Sequence, residues 1–199
     1  MAKDALIVID VQNDFCEDGT LAVSGSNEIV PIINKLILRF DRVILTQDWH
    51  TPAHSSFASS HPGKAPFQTI TMPYGEQTLW PVHCVQGTNG ADFHPDLQWT
   101  KAELVIRKGF RPHIDSYSAF YENDHVTPTG LAGYLRERGI THVTFAGLAT
   151  DFCVAYSALD AVEQGFTAEV LLDACRAIDL GGSLAAMTTR MRKAGVTLI

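Results

Sequence analysis

The sequence predicts an α/β fold: a three-layer sandwich whose mostly parallel central sheet is covered by helices on both faces. Two observations predict it. Short strand-like apolar runs alternate with helix-length amphipathic segments along the 199 residues, and alternation of this kind indicates a parallel sheet with both faces covered. No internal repeat and no linker interrupts the pattern, so one domain spanning residues 1–199, large enough to bury a real core, is expected.

The elements follow in order. Residues 5–10 are a β-rich apolar run that ends in an acid, Asp10. Residues 24–40 form an amphipathic helix, with Ser24, Ser26 and Asn27 as candidate caps and Pro31 near the first turn. Residues 42–47 are the second strand, ending at Asp48. Residues 103–107 are the third, ending at Lys108-Gly109. A helix over 129–138 stops at Gly139. Residues 142–146 are the fourth strand, and a helix over 151–164 closes at Gly165. Residues 168–172 are the fifth strand, ending at Asp173. A helix over 183–193 is capped by Ser183 and stopped by Gly195, before a last short strand over 196–199.

The exception is the segment 48–101, rich in Pro, Gly, Ser and His and without a sustained period. It holds all 3 tryptophans and 5 of the 8 histidines, which disfavours disorder and marks a functional irregular segment.

Composition narrows the function classes. No apolar run approaches the roughly 20 residues of a membrane span. The run at residues 5–9 is too short for a signal-peptide core, so a cytoplasmic location is expected. A formal charge of −7 argues against a general nucleic-acid binder. Cys16, Cys84, Cys153 and Cys175 form no CxxC pair and are expected as free thiols. A homo-oligomer is left open.

Ligands of an open parallel sheet bind beyond the carboxyl ends of its strands. Those ends supply Asp10, Asp48 with His50, Lys108, and the run that leads into Cys153. A cysteine in a helix's first turn is expected to be acidified by the helix N-terminus and to act as a nucleophile. Lys108 can stabilise its thiolate, and Asp10 can take the thiol proton and return it to a leaving amine. Free N–H groups of the same first turn can hold an oxyanion. Asp48-x-His50 puts a carboxylate and an imidazole on one side of an extended segment, a pair suited to Zn2+, Fe2+ or Mn2+. The third ligand is sought among His54, His61, His83 and His94. His83 leads, in the stiff turn Trp80-Pro81-Val82-His83-Cys84, with His54 as the alternative. Phe15 and Trp80 are candidates for a flat apolar pocket.

These motifs resemble the nicotinamidase (pyrazinamidase) family within the isochorismatase-like cysteine hydrolases. The resemblance rests on Val8-Ile9-Asp10-Val11-Gln12-Asn13-Asp14-Phe15, Thr46-Gln47-Asp48-Trp49-His50, Trp80-Pro81-Val82-His83-Cys84-Val85, Lys108-Gly109, Asp115-Ser116-Tyr117-Ser118-Ala119-Phe120 and Gly147-Leu148-Ala149-Thr150-Asp151-Phe152-Cys153-Val154, all in family order. It implies a catalytic triad of Asp10, Lys108 and Cys153 and one divalent metal on Asp48, His50 and His83, zinc first, with His54 as a further candidate. It implies a substrate pocket of Phe15, Trp80 and Tyr117, a cis peptide at Leu148-Ala149, and an oxyanion hole from the N–H groups of Ala149 and Cys153. The implied reaction is hydrolysis of nicotinamide, and of pyrazinamide, to the acid and ammonia in NAD salvage. The rival reading is another hydrolase of that superfamily, acting on a carbamoyl or ureido amide or on isochorismate. A rival of another class is a binding or scaffold protein that kept the fold without catalysis.

Overall fold

The computed structural model describes residues 3–199. Along the chain run β1 (Asp4–Ile9), α1 (Ser26–Arg39), β2 (Val43–Asp48), β3 (Thr69–Met72), β4 (Gly75–Thr78), β5 (Leu104–Lys108), α2 (Leu131–Glu137), β6 (His142–Leu148), α3 (Ala155–Glu163), β7 (Thr167–Arg176), α4 (Ser183–Ala194) and β8 (Thr197–Leu198). Six strands form one sheet in the order β5-β2-β1-β6-β7-β8, and every pairing in it is parallel.

β1 and β2 are buried on both faces because they carry Leu, Ile and Val where an exposed sheet would carry polar residues. Leu6, Ile7, Ile9, Ile44 and Leu45 are completely enclosed. Each such side chain contributes roughly 1.5–3 kcal/mol over its exposed state. Starting from β1, the chain steps outward through β2 to β5. It then returns to the other side of β1 and steps through β6 and β7 to β8. Right-handed crossovers travelling in opposite directions put their helices on opposite faces. The strand order therefore reverses between β1 and β6, and the crevice at their carboxyl ends is where such a sheet binds ligands. The backbones of β1 and β6 approach closely at Gly147, where a Cβ would lie 2.1 Å from the Ile9 carbonyl oxygen.

Five local outcomes differ from the sequence pattern. Ser183 does not cap α4: the helix begins behind Gly182 at φ 85 with no side-chain cap, and Ser183 Oγ donates to Asp151 Oδ2 instead. α1 begins behind Gly25 at φ 71, with no side-chain cap. The Ser26 hydroxyl is buried without a partner, and Asn27 pairs instead with Glu17 at 3.2 Å. Pro31 falls beyond the first turn, inside the helix. β7 does not stop at Asp173: after a register shift opposite Phe145 and Gly147 it resumes with Cys175 and Arg176. The helix expected from residue 129 starts at Leu131, with Thr129 Oγ1 accepting from Leu131 N at 3.2 Å.

The segment 48–101 contains an antiparallel hairpin, β3–β4, whose strands are only four residues each and half exposed, too short for a sustained period. Its one fully enclosed side chain is Gln77. Near its end the segment is tied to α1. Lys101 Nζ donates to the carbonyls of Ile37 at 2.9 Å and Phe40 at 2.7 Å, which satisfies acceptors that a helix end leaves open.

Candidate active site

β1 delivers Asp10, in the left-handed region at φ 47, and β5 delivers Lys108. Both are fully buried. Lys108 Nζ donates to Asp48 Oδ1, to the Ser116 carbonyl at 3.0 Å and to Cys153 Sγ at 3.4 Å. An ammonium has three hydrogens, shared here among these acceptors and a further carboxylate. Asp10 Oδ2 also lies 2.8 Å from Nζ, a buried ion pair. The donor atoms of Asp10, Asp48 and Cys153 all lie within 4.8 Å of one another. Thus one carboxylate oxygen beside the thiol keeps a lone pair to spare.

Cys153 sits in a single π-turn, Thr150–Val154, between β6 and α3. The Ala149 carbonyl accepts from Phe152 N and from Val154 N, each at 3.1 Å, so these two bonds straddle the N–H of Cys153. The Leu148–Ala149 peptide is cis, as the resemblance implies. Ser157 Oγ donates to the Cys153 carbonyl at 2.6 Å and accepts from Ala119 N at 2.8 Å, anchoring the turn from behind.

The electrostatics differ from the helix-terminus expectation. Burial pushes the Cys153 thiol well above its usual range; Lys108 pulls it down, and Asp10 and Asp48 push it further up. Burial likewise raises the Asp10 carboxyl, with Lys108 opposing and Asp48 reinforcing. For Lys108, burial works against the ammonium, but the carboxylates of Asp10 and Asp48 overcome it and hold the proton firmly. Burial thus disfavours the charged form of both the Cys153 thiol and the Asp10 carboxyl, with Lys108 opposing in each case.

The second cluster adjoins the first through Asp48. Its Oδ2 stands 3.5 Å from His50 Nε2 and 3.8 Å from His83 Nε2, while its Oδ1 serves Lys108. Burial opposes ionisation of Asp48, but Lys108 first, then His50 and His83, hold its carboxyl well below the usual range. His50 Nδ1 donates to the Gly109 carbonyl at 2.9 Å and His83 Nδ1 to the Pro81 carbonyl at 2.8 Å. Each bond fixes the tautomer that leaves Nε2 with a free lone pair toward the cluster. A carboxylate and two oriented imidazoles, all buried, fit one divalent metal with positions left for other ligands.

His54 is adjacent but differently committed. Its Nε2 faces the carbonyls of Arg111 at 2.8 Å and Ile114 at 3.1 Å, so Nε2 carries the hydrogen. Its Nδ1 accepts from Ser56 Oγ at 2.8 Å and from Ser56 N at 3.2 Å. Neither nitrogen retains a lone pair for a metal.

Between the two clusters opens a narrow pocket. Asp48, His83, Asp115 and Cys153 form its polar side, with Ala149 beside them, and Phe15, Trp80, Tyr117 and Phe152 its aromatic walls. Phe15 meets the His83 ring edge-on at 5.4 Å, and Trp80 meets Phe152 at 4.9 Å. An isochorismatase domain matches residues 4–199. A nicotinamidase of Acinetobacter baylyi is 56% identical over 195 residues, covering 98% of this chain and 91% of that protein. The chain belongs to the nicotinamidase/pyrazinamidase family.

Two solved structures of the family frame the site. A nicotinamidase/pyrazinamidase of Acinetobacter baumanii superposes with a TM-score of 0.98 at 58% identity, covering 99% of this chain and 95% of that one. A pyrazinamidase of Pyrococcus horikoshii, solved in complex with zinc, superposes with a TM-score of 0.80 at 32% identity, covering 100% of this chain and 99% of that one.

Several residues that shape this nicotinamidase-family site escape a strand-end search. Thr46 hydrogen-bonds Asp10. Its signal was the two-residue spacing that puts it on the same face of β2 as Asp48. Gln12 holds the Asp48 backbone, and Asp14 Oδ2 accepts from Cys84 N at 2.7 Å. Asp115 lines the pocket and accepts from Gln77 Nε2 at 2.8 Å. Asp115 and Gln77 lie on no strand end, and no local spacing brings them together.

Proposed function

We propose that the chain is a metal-dependent amidohydrolase that converts nicotinamide to nicotinate and ammonia through a thioester on Cys153. The observation that carries the reading is the Lys108 ammonium, fully buried, which contacts Cys153 Sγ and Asp10 on one side and Asp48 of the imidazole cluster on the other. This supports Cys153 as nucleophile with Asp10 as its base beside a metal-type cluster, with Cys153, Asp48 and His83 lining one pocket. The family membership and the 56% identity to a nicotinamidase support the substrate.

The aromatic walls take a flat ring and exclude water, with Phe15 and Trp80 on its faces and Tyr117 at the pocket wall. Asp10 Oδ2 takes the proton of Cys153 as Sγ attacks the carboxamide carbon, and Lys108 stabilises the sulfur charge as it develops. The N–H groups of Ala149 and Cys153 hold the oxyanion. Asp10 then gives its proton to the amide nitrogen, the C–N bond breaks and ammonia leaves. Water attacks the thioester carbonyl and yields its proton to Asp10. The C–S bond breaks, and Asp10 returns the proton to Sγ. Asp48, His50 and His83 would hold a divalent metal, zinc as in the Pyrococcus relative, and when bound it supplies a Lewis-acid contact that orients the ring nitrogen. Pyrazinamide presents a nitrogen at the same place and is a substrate by the same logic.

Ammonia release from nicotinamide by the purified chain tests the reading. Cys153→Ala is expected to abolish turnover while still binding nicotinamide. Substantial turnover in that variant would rule out the thioester. Preference for a ureido or carbamoyl substrate over nicotinamide would favour the neighbouring branch of the superfamily.

A further inference from the structure

The proton path proposed above requires Asp10 to accept and release protons on the oxygen that faces the thiol, and a carboxylate has two oxygens. Thr46, on β2, distinguishes them. Its Oγ1 accepts from the Asp10 N–H at 3.1 Å, a donor whose direction the backbone fixes. The one hydrogen of the hydroxyl is then free to donate elsewhere, and it meets Asp10 Oδ1 at 2.6 Å. Oδ1 is therefore held as an acceptor. Oδ2 takes no bond from Thr46; it ion-pairs with Lys108 Nζ at 2.8 Å, the same ammonium that contacts Cys153 Sγ at 3.4 Å, and a carboxylate oxygen so paired keeps a second lone pair.

Resting on that reading of the reaction, we infer that Thr46 is a positioning residue that confines the travelling proton to Oδ2 of Asp10. When the S–H bond breaks, the hydrogen goes to the Oδ2 lone pair; when the C–N bond breaks, it leaves from Oδ2 to nitrogen. A proton on Oδ1 would face Thr46 and lie away from the leaving amine. Thr46 is fully buried and reaches Asp10 across 36 residues of sequence, and it touches neither substrate nor the reacting atoms.

The test compares Thr46→Val, which keeps shape and strand propensity but deletes the hydroxyl, with Thr46→Ser, which keeps the hydroxyl. Each is assayed for kcat and KM with nicotinamide, for bound zinc and for thermal melting. Thr46→Val is expected to lower kcat roughly ten- to a hundredfold, a share of what a positioned acid–base group supplies. Its KM and zinc content should stay unchanged, and Thr46→Ser should recover most of the rate. If Thr46→Val does not fold, Thr46→Ala replaces it in the same comparison. Full kcat in the valine variant, or equal losses in the valine and serine variants, overturns the inference and leaves the proposed reaction standing. If the unaltered chain releases no ammonia from nicotinamide, the reaction itself fails and the inference with it.

Discussion

The side-chain amide of Gln12 bonds both main-chain groups of Asp48: Oε1 accepts from Asp48 N at 2.7 Å, and Nε2 donates to Asp48 O at 2.9 Å. The same Nε2 donates to the Ala91 carbonyl at 2.8 Å. Asp48 thus leaves β2 held as if by another strand. That matters because its two carboxylate oxygens face different partners, Lys108 on one side and His50 and His83 on the other. Gln12→Ala removes the clasp, and Gln12→Glu sets a carboxylate against the Asp48 carbonyl. Both are expected to weaken metal binding about 10- to 100-fold, the usual effect of losing a partner behind a ligand. Competition with a chelator measures it. An unchanged metal affinity in both variants would show that β2 alone positions Asp48.

Gly109 is constrained twice. Its φ is +65, and a Cβ there would lie 2.5 Å from His50 Cε1, while its carbonyl fixes the His50 tautomer. Gly109→Ala is expected to turn the His50 ring, lower metal content and reduce kcat/KM by more than about tenfold. It should also destabilise the chain by about 1–3 kcal/mol from backbone strain. Metal analysis beside a thermal melt separates the two effects. Full metal content with normal turnover would show that the imidazole tolerates the methyl group.

The sheet and the rim of the site were legible because they follow from local patterns. Apolar runs mark buried strands, and a polar residue at a strand's carboxyl end marks the binding edge. Asp10, Asp48 and Lys108 were found that way, and the same edge leads to Cys153. Thr46 and Gln12 were not found, because their importance lies in which hydrogen goes to which acceptor across 36 residues. Gln77 illustrates a different limit: it is the one fully enclosed residue of a largely half-exposed hairpin, and it bonds Asp115 and Tyr117, far along the chain. The direction of the Cys153 shift was misread for a related reason. Helix position is visible in sequence, whereas complete burial beside two carboxylates is not.

Asp160 carries a charge the fold does not accommodate. It is buried, its Oδ2 has no partner, and burial raises its carboxyl above the ordinary value of 3.8, with Ser118, His125 and Arg190 opposing and Glu163 reinforcing. The unfolded chain therefore releases this proton at lower pH than the folded chain. The stabilising contribution is fully present below the ordinary value and is lost as pH rises through the folded one. Asp160→Asn should therefore raise the melting temperature at pH 7. The gap over the parent chain should narrow as pH falls toward 3.8. Melting curves across that range check it. A gap independent of pH would assign the gain to packing.

His54 and His83 flank the same cluster, and their tautomers separate their roles. His83 keeps Nε2 open because Nδ1 donates to Pro81. His54 spends Nε2–H on two carbonyls and the Nδ1 lone pair on Ser56. His54→Ala is therefore expected to keep its metal and to lose about 1–3 kcal/mol of stability, the cost of leaving buried polar groups unpaired. His83→Ala is expected to lose metal and nicotinamide affinity together while the fold persists. Metal stoichiometry of the two purified variants, measured side by side with their melting temperatures, distinguishes a ligand from a strut. Loss of metal from the His54 variant at unchanged stability would mean that its ring turns toward the ion when the ion binds, because neither nitrogen can serve in its present hydrogen bonds.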